Sequence, residues 1–381
     1  MPHPDVKATS DCDVPFARQL DQLLRACASR VMLLGAVAAE NAGQERARLT
    51  EALRRRNELS PRWSYVRREN RDVTRMIDDA ILVVDRLVCD DDLKQLYLDR
   101  LRELALESRI VDAVGTRQLQ QLSRLRFRGD SDEARALAKR WAVPPMSQRE
   151  SKSILSDGAG DDSLLNQMRA RVTAERLPFR VISHDRLSAL AATGDETIYV
   201  AAGVLVSARD IARTVTHEVL GHAAPRATGK STFSALFTIG TAGGIDDQEG
   251  LALVIEERHA FLDEHRKHEL GARHRATEWM DSGATFAEVA IALVDECGLP
   301  EASAIRIAER IYRGSNGTFA GLGRERVYLQ AYCAIKAHLT NKPENEALLA
   351  SGQIGLTALP ALRRHFRFAP PAAGNMAAIS K

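Results

Sequence analysis

Apolar residues recur at three- and four-residue spacing through the first third of the chain. Leu20, Leu24 and Cys27 belong to such a pattern over residues 14–58, and a second pattern of the same kind covers residues 70–143. This spacing places apolar side chains on one face of an α-helix. Both stretches are therefore predicted to be helical.

The pattern changes at about residue 144. Residues 144–162 are rich in Pro, Ser, Gly and Asp, a composition that is typical of a loop. Short runs of β-branched and aromatic residues at 179–182 and 197–200 predict two strands. Helical spacing then returns and continues to about residue 366. The chain is therefore predicted to be mostly α with a small β-sheet, an α+β fold.

These changes in pattern divide the chain into predicted parts. Helical segments on both sides of a loop-like stretch favour one large domain that follows an N-terminal extension. The Pro-rich end of the chain is expected to be loose. The parts are a helical extension (1–58), a main domain (59–368) and a tail (369–381), and the main domain comprises a helical part (59–143), a loop (144–165) and a core (170–366).

The composition is that of a globular protein with balanced charge. Hydrophobic residues make up 45% of the chain, which is enough for a sizeable core. The 53 lysines and arginines nearly balance the 51 aspartates and glutamates, which argues against a general nucleic-acid binder. One basic cluster surrounds Pro61 and consists of Arg54, Arg55, Arg56, Arg62, Arg67 and Arg68. This Arg54–Arg68 cluster is either a solvated helix end and loop or a docking patch for an acidic partner.

No targeting or membrane segment is visible in the sequence. The N-terminus lacks the basic patch and apolar run of a secretory signal. The longest early apolar run, residues 31–39, is much shorter than the about 20 residues that a membrane span needs. Five widely spaced cysteines without a CxxC pair do not favour a disulfide framework or a thiolate metal site. A cytoplasmic location is predicted, and export without a cleaved signal would leave the same pattern.

The strongest candidate for chemistry is the segment HEVLGH at residues 217–222. A capping pattern at Ser207 predicts that a helix starts there and runs through this segment. The imidazoles of His217 and His222 offer zinc two neutral nitrogen ligands. The carboxylate of Glu218 can take a proton from the attacking water. The segment therefore predicts a metal-dependent hydrolase.

The spacing of the two histidines is unusual for a helix. In the common metal motif the histidines are four residues apart and lie on one face, whereas His217 and His222 are five apart. Five residues turn an ideal helix by about 500°, which leaves the two imidazoles about 140° apart. A shared ion therefore requires one extra residue in the turn, most simply as a π-bulge. We expect Gly221 to provide the backbone freedom for it.

A catalytic zinc needs a third protein ligand and an open position for water. The third ligand is expected to be a carboxylate from a separate element. Glu249 lies near the start of a predicted helix, and Glu256 and Glu257 on the same helix compete with it. The residues by themselves leave this choice open. Other histidines on charged helices are expected to face solvent, and they are His259, His265, His268 and His274.

Two motifs together resemble a known family. HEVLGH at residues 217–222 and QEGLA at residues 248–252 are similar to the QEGLA-motif metallopeptidases, which include the microtubule-associated tyrosine carboxypeptidases. Those enzymes hold zinc with an HExxxH helix and a downstream glutamate, and they remove the C-terminal tyrosine of α-tubulin. The resemblance implies a zincin-like core with an active-site helix. It implies one Zn²⁺ per chain, with His217, His222 and Glu249 as ligands and Glu218 as general base.

Further segments extend the resemblance over roughly residues 60–366. RERVYL at residues 324–329 and SGQIGL at residues 351–356 are similar to family segments, and residues 228–230 lie where the family has a Gly-containing turn. The pair at 322–323, Leu-Gly, departs from a Phe-Thr pair that is common in the family, which indicates a different wall of the substrate pocket. Dipeptidyl peptidase III carries a similar HELLGH segment, but it is much longer and its downstream glutamate lies in another motif.

The resemblance and the chemistry together predict a zinc-dependent carboxypeptidase that acts on the C-terminus of a protein or peptide. We expect Tyr328 to donate a hydrogen bond to the tetrahedral oxyanion. Arg324, or failing that Lys230, is expected to bind the substrate α-carboxylate. The alternatives are a zinc endopeptidase, a dipeptidyl-peptidase-like aminopeptidase and a non-catalytic protein in which zinc organises a binding surface. The intact Glu218 argues against the last of these.

Overall fold

The fold is described by a computed structural model, which covers residues 7–8, 14–66, 71–87, 90–127, 131–146, 153–232 and 234–367. The predicted tail (369–381) lies outside the described residues, and so do Arg67 and Arg68 of the Arg54–Arg68 cluster. Within the described part, Arg54 and Arg55 both lie beside the carboxylate of Glu51 on the same helix.

Each of the two predicted helical stretches is divided into several helices. Capping residues mark the divisions, because Asp90 accepts a hydrogen bond from the amide of Leu93 (2.9 Å) and Ser131 accepts one from the amide of Ala134 (3.1 Å). Gly115, at φ 79°, follows the end of another helix. The helices of the two stretches are α1 (Val14–Arg30), α2 (Leu33–Ala36), α3 (Ala42–Arg54), α4 (Arg71–Leu87), α5 (Asp91–Asp112), α6 (Gln118–Arg126) and α7 (Asp132–Trp141). A further helix, α8 (Leu164–Ala174), follows outside both stretches.

The second half of the chain is also mostly helical, as predicted. Its helices are α9 (Ala208–Thr216), a π-helix (His217–Ala223), α10 (Ala224–Lys230), α11 (Ala235–Thr238), α12 (Gly244–Arg258), α13 (Glu264–Asp281), α14 (Phe286–Asp295), α15 (Glu301–Ile311), α16 (Val327–Asn341), α17 (Glu346–Leu349) and α18 (Leu359–His365). Three 3₁₀ turns lie at Arg324–Arg326, Pro343–Asn345 and Leu356–Ala358. None of the described helices combines the length and the apolar character needed to cross a membrane.

Three small sheets accompany the helices. The strands are β1 (Lys7–Ala8), β2 (Ser153–Leu155), β3 (Arg180–His184), β4 (Ala191–Thr193), β5 (Thr197–Ala201), β6 (Leu205–Ser207) and β7 (Phe366–Arg367). Strands β1 and β7 pair antiparallel, as do β2 and β6. The third sheet has the order β3-β5-β4, with β3 parallel and β4 antiparallel to β5. The two predicted strands correspond to β3 and β5, whereas β2 lies inside the segment that was predicted to be a loop.

The N-terminal helices are packed into the body of the protein. Leu24 of α1 is 1% exposed and belongs to the same apolar cluster as Leu101 of α5 and Leu251 of α12. Leu49 of α3 belongs to a second cluster, together with residues of α14 and α15. An ion pair between Arg46 and Glu309 (2.7 Å) joins α3 to α15. Helices α1 and α3 therefore share the hydrophobic cores of the main domain.

Helix α13 is buried although its sequence is strongly charged. His268 and His274, which were expected to face solvent, are 6% and 0% exposed. The Nε2 atom of His268 lies 2.7 Å from the backbone oxygen of Cys297. The helix also carries the buried side chains of Arg266 and Arg273. The expectation failed because the charges of α13 pair with charges on neighbouring helices, a relation that spacing along one helix does not reveal.

Candidate metal centre and active site

The two motif histidines lie side by side on a π-helix. Helix α9 starts at Ser207, whose hydroxyl accepts a hydrogen bond from the amide of Asp210 (3.1 Å), as the capping pattern predicted. From His217 the backbone continues as a π-helix, which confirms the predicted irregularity. A π-turn brings residues five apart onto one face, and the Nε2 atoms of His217 and His222 are 3.2 Å apart.

Helix α12 brings a carboxylate to the same point. The Oε2 atom of Glu249 lies 3.5 Å from Nε2 of His217 and 3.6 Å from Nε2 of His222. This oxygen makes no shorter hydrogen bond to any residue that the structure describes. Tetrahedral zinc with bonds of about 2.0–2.1 Å sets its ligand atoms about 3.4 Å apart, so the spacing of the three donors fits such an ion. All three side chains are buried.

Each of the two histidines is held by a neighbour on α12. Glu256, one of the competing candidates, contacts Nδ1 of His217 through Oε1 at 2.7 Å. Gln248 contacts Nδ1 of His222 at 3.3 Å. Both contacts orient the imidazoles with Nε2 towards the centre. The remaining candidate, Glu257, instead pairs with Lys336 at the surface (2.7 Å).

The other residues of the QEGLA segment explain how closely the helices pack. A Cβ atom on Gly250 would lie 2.4 Å from the backbone of Ala331 on α16. A Cβ atom on Gly221 would lie 2.5 Å from the Cβ of Ala252 on α12. Gly221 does not have a positive φ, so the expected backbone freedom is not what its position requires. Gly221 is needed instead because it has no side chain. Helix α12 must approach the π-helix closely for Glu249 to reach the histidines.

The charges around His217, His222 and Glu249 favour the binding of a cation. Burial would raise the pKa of Glu249, but His222, His217 and Arg324 hold it well below its ordinary value. Burial would lower the pKa of His217, but hydrogen bonds to Glu249 and Glu256 raise it to about 9. A metal ion that binds here must therefore displace a proton from His217, which makes its affinity depend on pH.

Glu218 lies beside the donors, at the edge of the sheet. Its Oε2 atom accepts a hydrogen bond of 2.7 Å from the hydroxyl of Thr193 on β4. The side chain is buried but lines the same cavity as His217 and His222. A carboxylate held in this way next to three metal-type donors can serve as a general base.

A family model described as microtubule-associated tyrosine carboxypeptidase matches residues 55–368. The chain belongs to this family. The match covers most of the chain and confirms the resemblance found from the HEVLGH and QEGLA segments. No match was found among the curated proteins.

The cavity beside Glu218 has a volume of about 290 Å³. Tyr328, a residue of the carboxypeptidase-family segment at 324–329, is buried and lines it. The phenol oxygen of Tyr328 accepts a hydrogen bond from Arg310 (3.1 Å), and the guanidinium of Arg273 lies 5.4 Å from the ring centre. Burial, together with the charge of Glu249, raises the pKa of Tyr328. The phenol therefore keeps its proton at neutral pH and is able to donate it.

The two cations expected to bind the substrate carboxylate are engaged elsewhere. Arg324 donates to Oε1 of Glu249 (3.2 Å) and lies 3.7 Å from Asp246. Lys230 donates to the backbone oxygen of Asp195 (2.7 Å) and is not among the described residues that line the cavity. The structure thus places Arg324 against a candidate metal ligand and Lys230 outside the pocket.

Sequence reasoning missed several residues of the site. Glu256 was not one of them, since it was named as an alternative third ligand; it follows Glu249 by seven residues, or two helical turns, and so lies on the same face of α12. Thr193, and the arginines contributed by α13 and α15, carried no signal in the sequence. Residues from Leu34 to Ala42 also line the cavity, although the carboxypeptidase-family match begins only at residue 55.

Proposed function

We propose that this protein is a zinc-dependent carboxypeptidase that removes one residue from the C-terminus of a protein or peptide. The observation that carries the proposal is the convergence of His217, His222 and Glu249, with Glu218 beside them in one cavity. Membership of a carboxypeptidase family supports the reaction class. The arrangement of a metal-binding helix beside an edge strand also supports a zincin-like core.

Zinc bound to these three residues would act as a Lewis acid that polarises the scissile carbonyl and lowers the pKa of water. Glu218 accepts the proton of the attacking water and transfers it to the leaving amine. Thr193 holds the carboxylate of Glu218 in place for both transfers. The phenol of Tyr328 donates a hydrogen bond to the developing oxyanion.

The remaining elements bind and orient the peptide. Within the described residues β4 is an edge strand, so its free backbone groups can align the substrate backbone. A cavity of about 290 Å³ is at the lower limit for small-ligand pockets, which suits the end of a peptide better than an internal segment. Arg324 keeps Glu249 oriented towards the histidines and so acts on the substrate only indirectly.

The test is to replace the proposed general base while keeping the metal. Glu218→Gln should retain about one zinc per chain and lower kcat on a C-terminal peptide library by at least about 100-fold. His217→Ala should lose zinc as well as activity, because one of three ligands is missing. Metal analysis and mass spectrometry of the products measure both effects.

Different outcomes point to different functions. Peptides that end in tyrosine are the first substrates to test, because the family is described as a tyrosine carboxypeptidase. Internal cleavage would indicate an endopeptidase, and loss of N-terminal residues would indicate an aminopeptidase. Stoichiometric zinc without cleavage of any peptide, in both the wild type and Glu218→Gln, would indicate a non-catalytic zinc protein and contradict the proposal.

A further inference from the structure

The cavity is lined by an unusual number of arginines, and one of them differs from the rest. Seven of the eight arginines that line it have a carboxylate of a described residue within 4.0 Å. The eighth, Arg313, has no carboxylate at this distance among the described residues. Its terminal nitrogen donates to the hydroxyl of Ser188. Within the described part of the chain, Arg313 is therefore a positive charge that lines the cavity without a carboxylate at ion-pair distance.

The neighbouring carboxylates are already occupied by other cations. Glu309 forms a two-point contact with Arg46, at 2.7 and 3.0 Å. Glu325 is paired with Arg310 at 2.9 Å. Burial and the nearby guanidinium of Arg310 lower the pKa of Arg313 to about 10, so Arg313 still carries its charge at neutral pH. A half-buried cation of this kind is stabilised by an anionic ligand that enters the cavity.

The backbone that carries Arg313 is held firmly in place. The carbonyl of Arg313 accepts a hydrogen bond from the amide of Leu322 (2.9 Å). The next residue, Gly314, has φ 79°, and its carbonyl accepts a hydrogen bond from the amide of Gly115 (2.7 Å). Ser188, which receives the guanidinium, is only 6% exposed. The position is therefore set by tertiary contacts, as a binding residue requires.

Arg313 and the candidate catalytic residues border the same path along the sheet edge. Ser188 lies three residues before β4, and Thr193 at the end of β4 contacts Glu218. The segment 188–193 thus touches Arg313 at one end and the proposed general base at the other. Tyr328 interacts electrostatically with both Arg313 and Glu249. Because Glu218 and Arg313 line one cavity, a peptide end bound there can present its scissile bond to Glu218 and its carboxylate to Arg313.

We propose that Arg313, assisted by Ser188, binds the free α-carboxylate of the substrate, a proposal that rests on the carboxypeptidase function above. A guanidinium forms two parallel, charge-assisted hydrogen bonds with a carboxylate, which gives both affinity and orientation. Arg324 cannot serve in this way while it holds Glu249. The ligand class that the site takes is thus a peptide with an ionised C-terminus.

The experiment compares the free acid and the C-terminal amide of one N-acetylated peptide that ends in tyrosine. The wild-type zinc protein should cleave the acid and leave the amide uncut. Arg313→Gln should lower kcat/KM for the acid by about 10- to 100-fold, mainly through KM, because one charged hydrogen-bonding partner is lost. Arg186→Gln is the matched control, since Arg186 lines the same cavity but is 55% exposed, and it should behave as the wild type.

Two further variants keep the result decisive. Arg313→Lys should recover part of the loss in KM, because it restores the charge but not the two-point geometry. Ser188→Ala, which removes a single hydroxyl, should raise KM by a smaller factor of about 3 to 10. If Arg313→Gln fails to fold, these two variants decide the question. Zinc content and thermal melting establish that each variant is folded.

The two proposals fail in distinguishable ways. If the wild type discriminates against the amide but the Arg313 and Ser188 variants keep its KM for the acid, the carboxylate is bound elsewhere and this inference is overturned. If the wild type cleaves acid and amide equally well, the carboxypeptidase function itself is wrong. If KM for the acid rises in the Arg313 and Ser188 variants but not in Arg186→Gln, the result supports both proposals.

Discussion

The carboxylate of Glu256 supports a candidate metal ligand without being one of the three candidate donors. It contacts Nδ1 of His217 at 2.7 Å and is itself held by Arg266 at 2.9 Å. This pair of contacts sets which nitrogen of His217 faces Glu249 and His222. Substitution of a residue that hydrogen-bonds to a metal ligand commonly changes metal affinity by about 10- to 100-fold.

We therefore predict that Glu256→Gln weakens zinc binding by about 10- to 100-fold, since it removes the charge that orients His217. Competition with a chelator of known affinity measures the change. Glu257→Gln is the matched control, because Glu257 is the next residue of α12 but pairs with Lys336 at the surface. Equal zinc affinity in the two variants would show that Glu256 does not position the ligand.

At the scale of elements, the site depends on the distance between the π-helix and α12. The π-helix places His217 and His222 on one face, and α12 carries Glu249 towards them. The two elements meet where Gly221 faces Ala252, with no space for another carbon atom between them. The spacing of the three candidate metal donors therefore depends on helix packing at this contact.

Gly221→Ala should force the two elements apart. We expect it to destabilise the protein by about 1–3 kcal/mol through overpacking and to weaken zinc binding as well. Thermal melting with and without zinc measures both effects. Gly35→Ala is the control, because Gly35 lies on a helix with its nearest contact at 3.9 Å, and it should leave stability unchanged or raise it by up to about 1 kcal/mol through helix propensity. Unchanged zinc affinity in Gly221→Ala would contradict the link between packing and binding.

For the molecule as a whole, the N-terminal helices belong to the enzyme core although they precede the family match. Leu24 and Leu49 are each 1% exposed, within the two largest apolar clusters. The segment between their helices, from Leu34 to Ala42, lines the cavity. Helices α1 and α3, which fall in the predicted extension (1–58), thus pack against helices of the predicted main domain.

Leu24→Ala should lower the free energy of unfolding by about 2–5 kcal/mol, because it leaves a cavity in a core shared by α1, α5 and α12. Urea denaturation followed by circular dichroism measures this. Leu205→Ala, at a side chain that is 67% exposed on β6, removes the same atoms and should change stability by less than about 0.5 kcal/mol. If both variants unfold alike, α1 is not part of the cooperative core.

What the sequence determined by itself is local. Helices follow from apolar spacing, and the irregular turn between His217 and His222 follows from a five-residue interval on an ideal helix. The role proposed for Glu218, that of a general base, follows from its place beside those histidines. These inferences need only the geometry of one element, so they could be made before any tertiary structure was known.

The tertiary structure decided everything that depends on how elements meet. Residue chemistry left Glu249, Glu256 and Glu257 as alternatives, and the packing of α12 separates them into a donor, a support and a surface residue. The same holds for two arginines that line the cavity: Arg324 pairs with Glu249, whereas no carboxylate of a described residue lies within ion-pair distance of Arg313. Whether a charge is paired depends on residues far away in the chain, because electrostatic contacts act through space and not along the sequence.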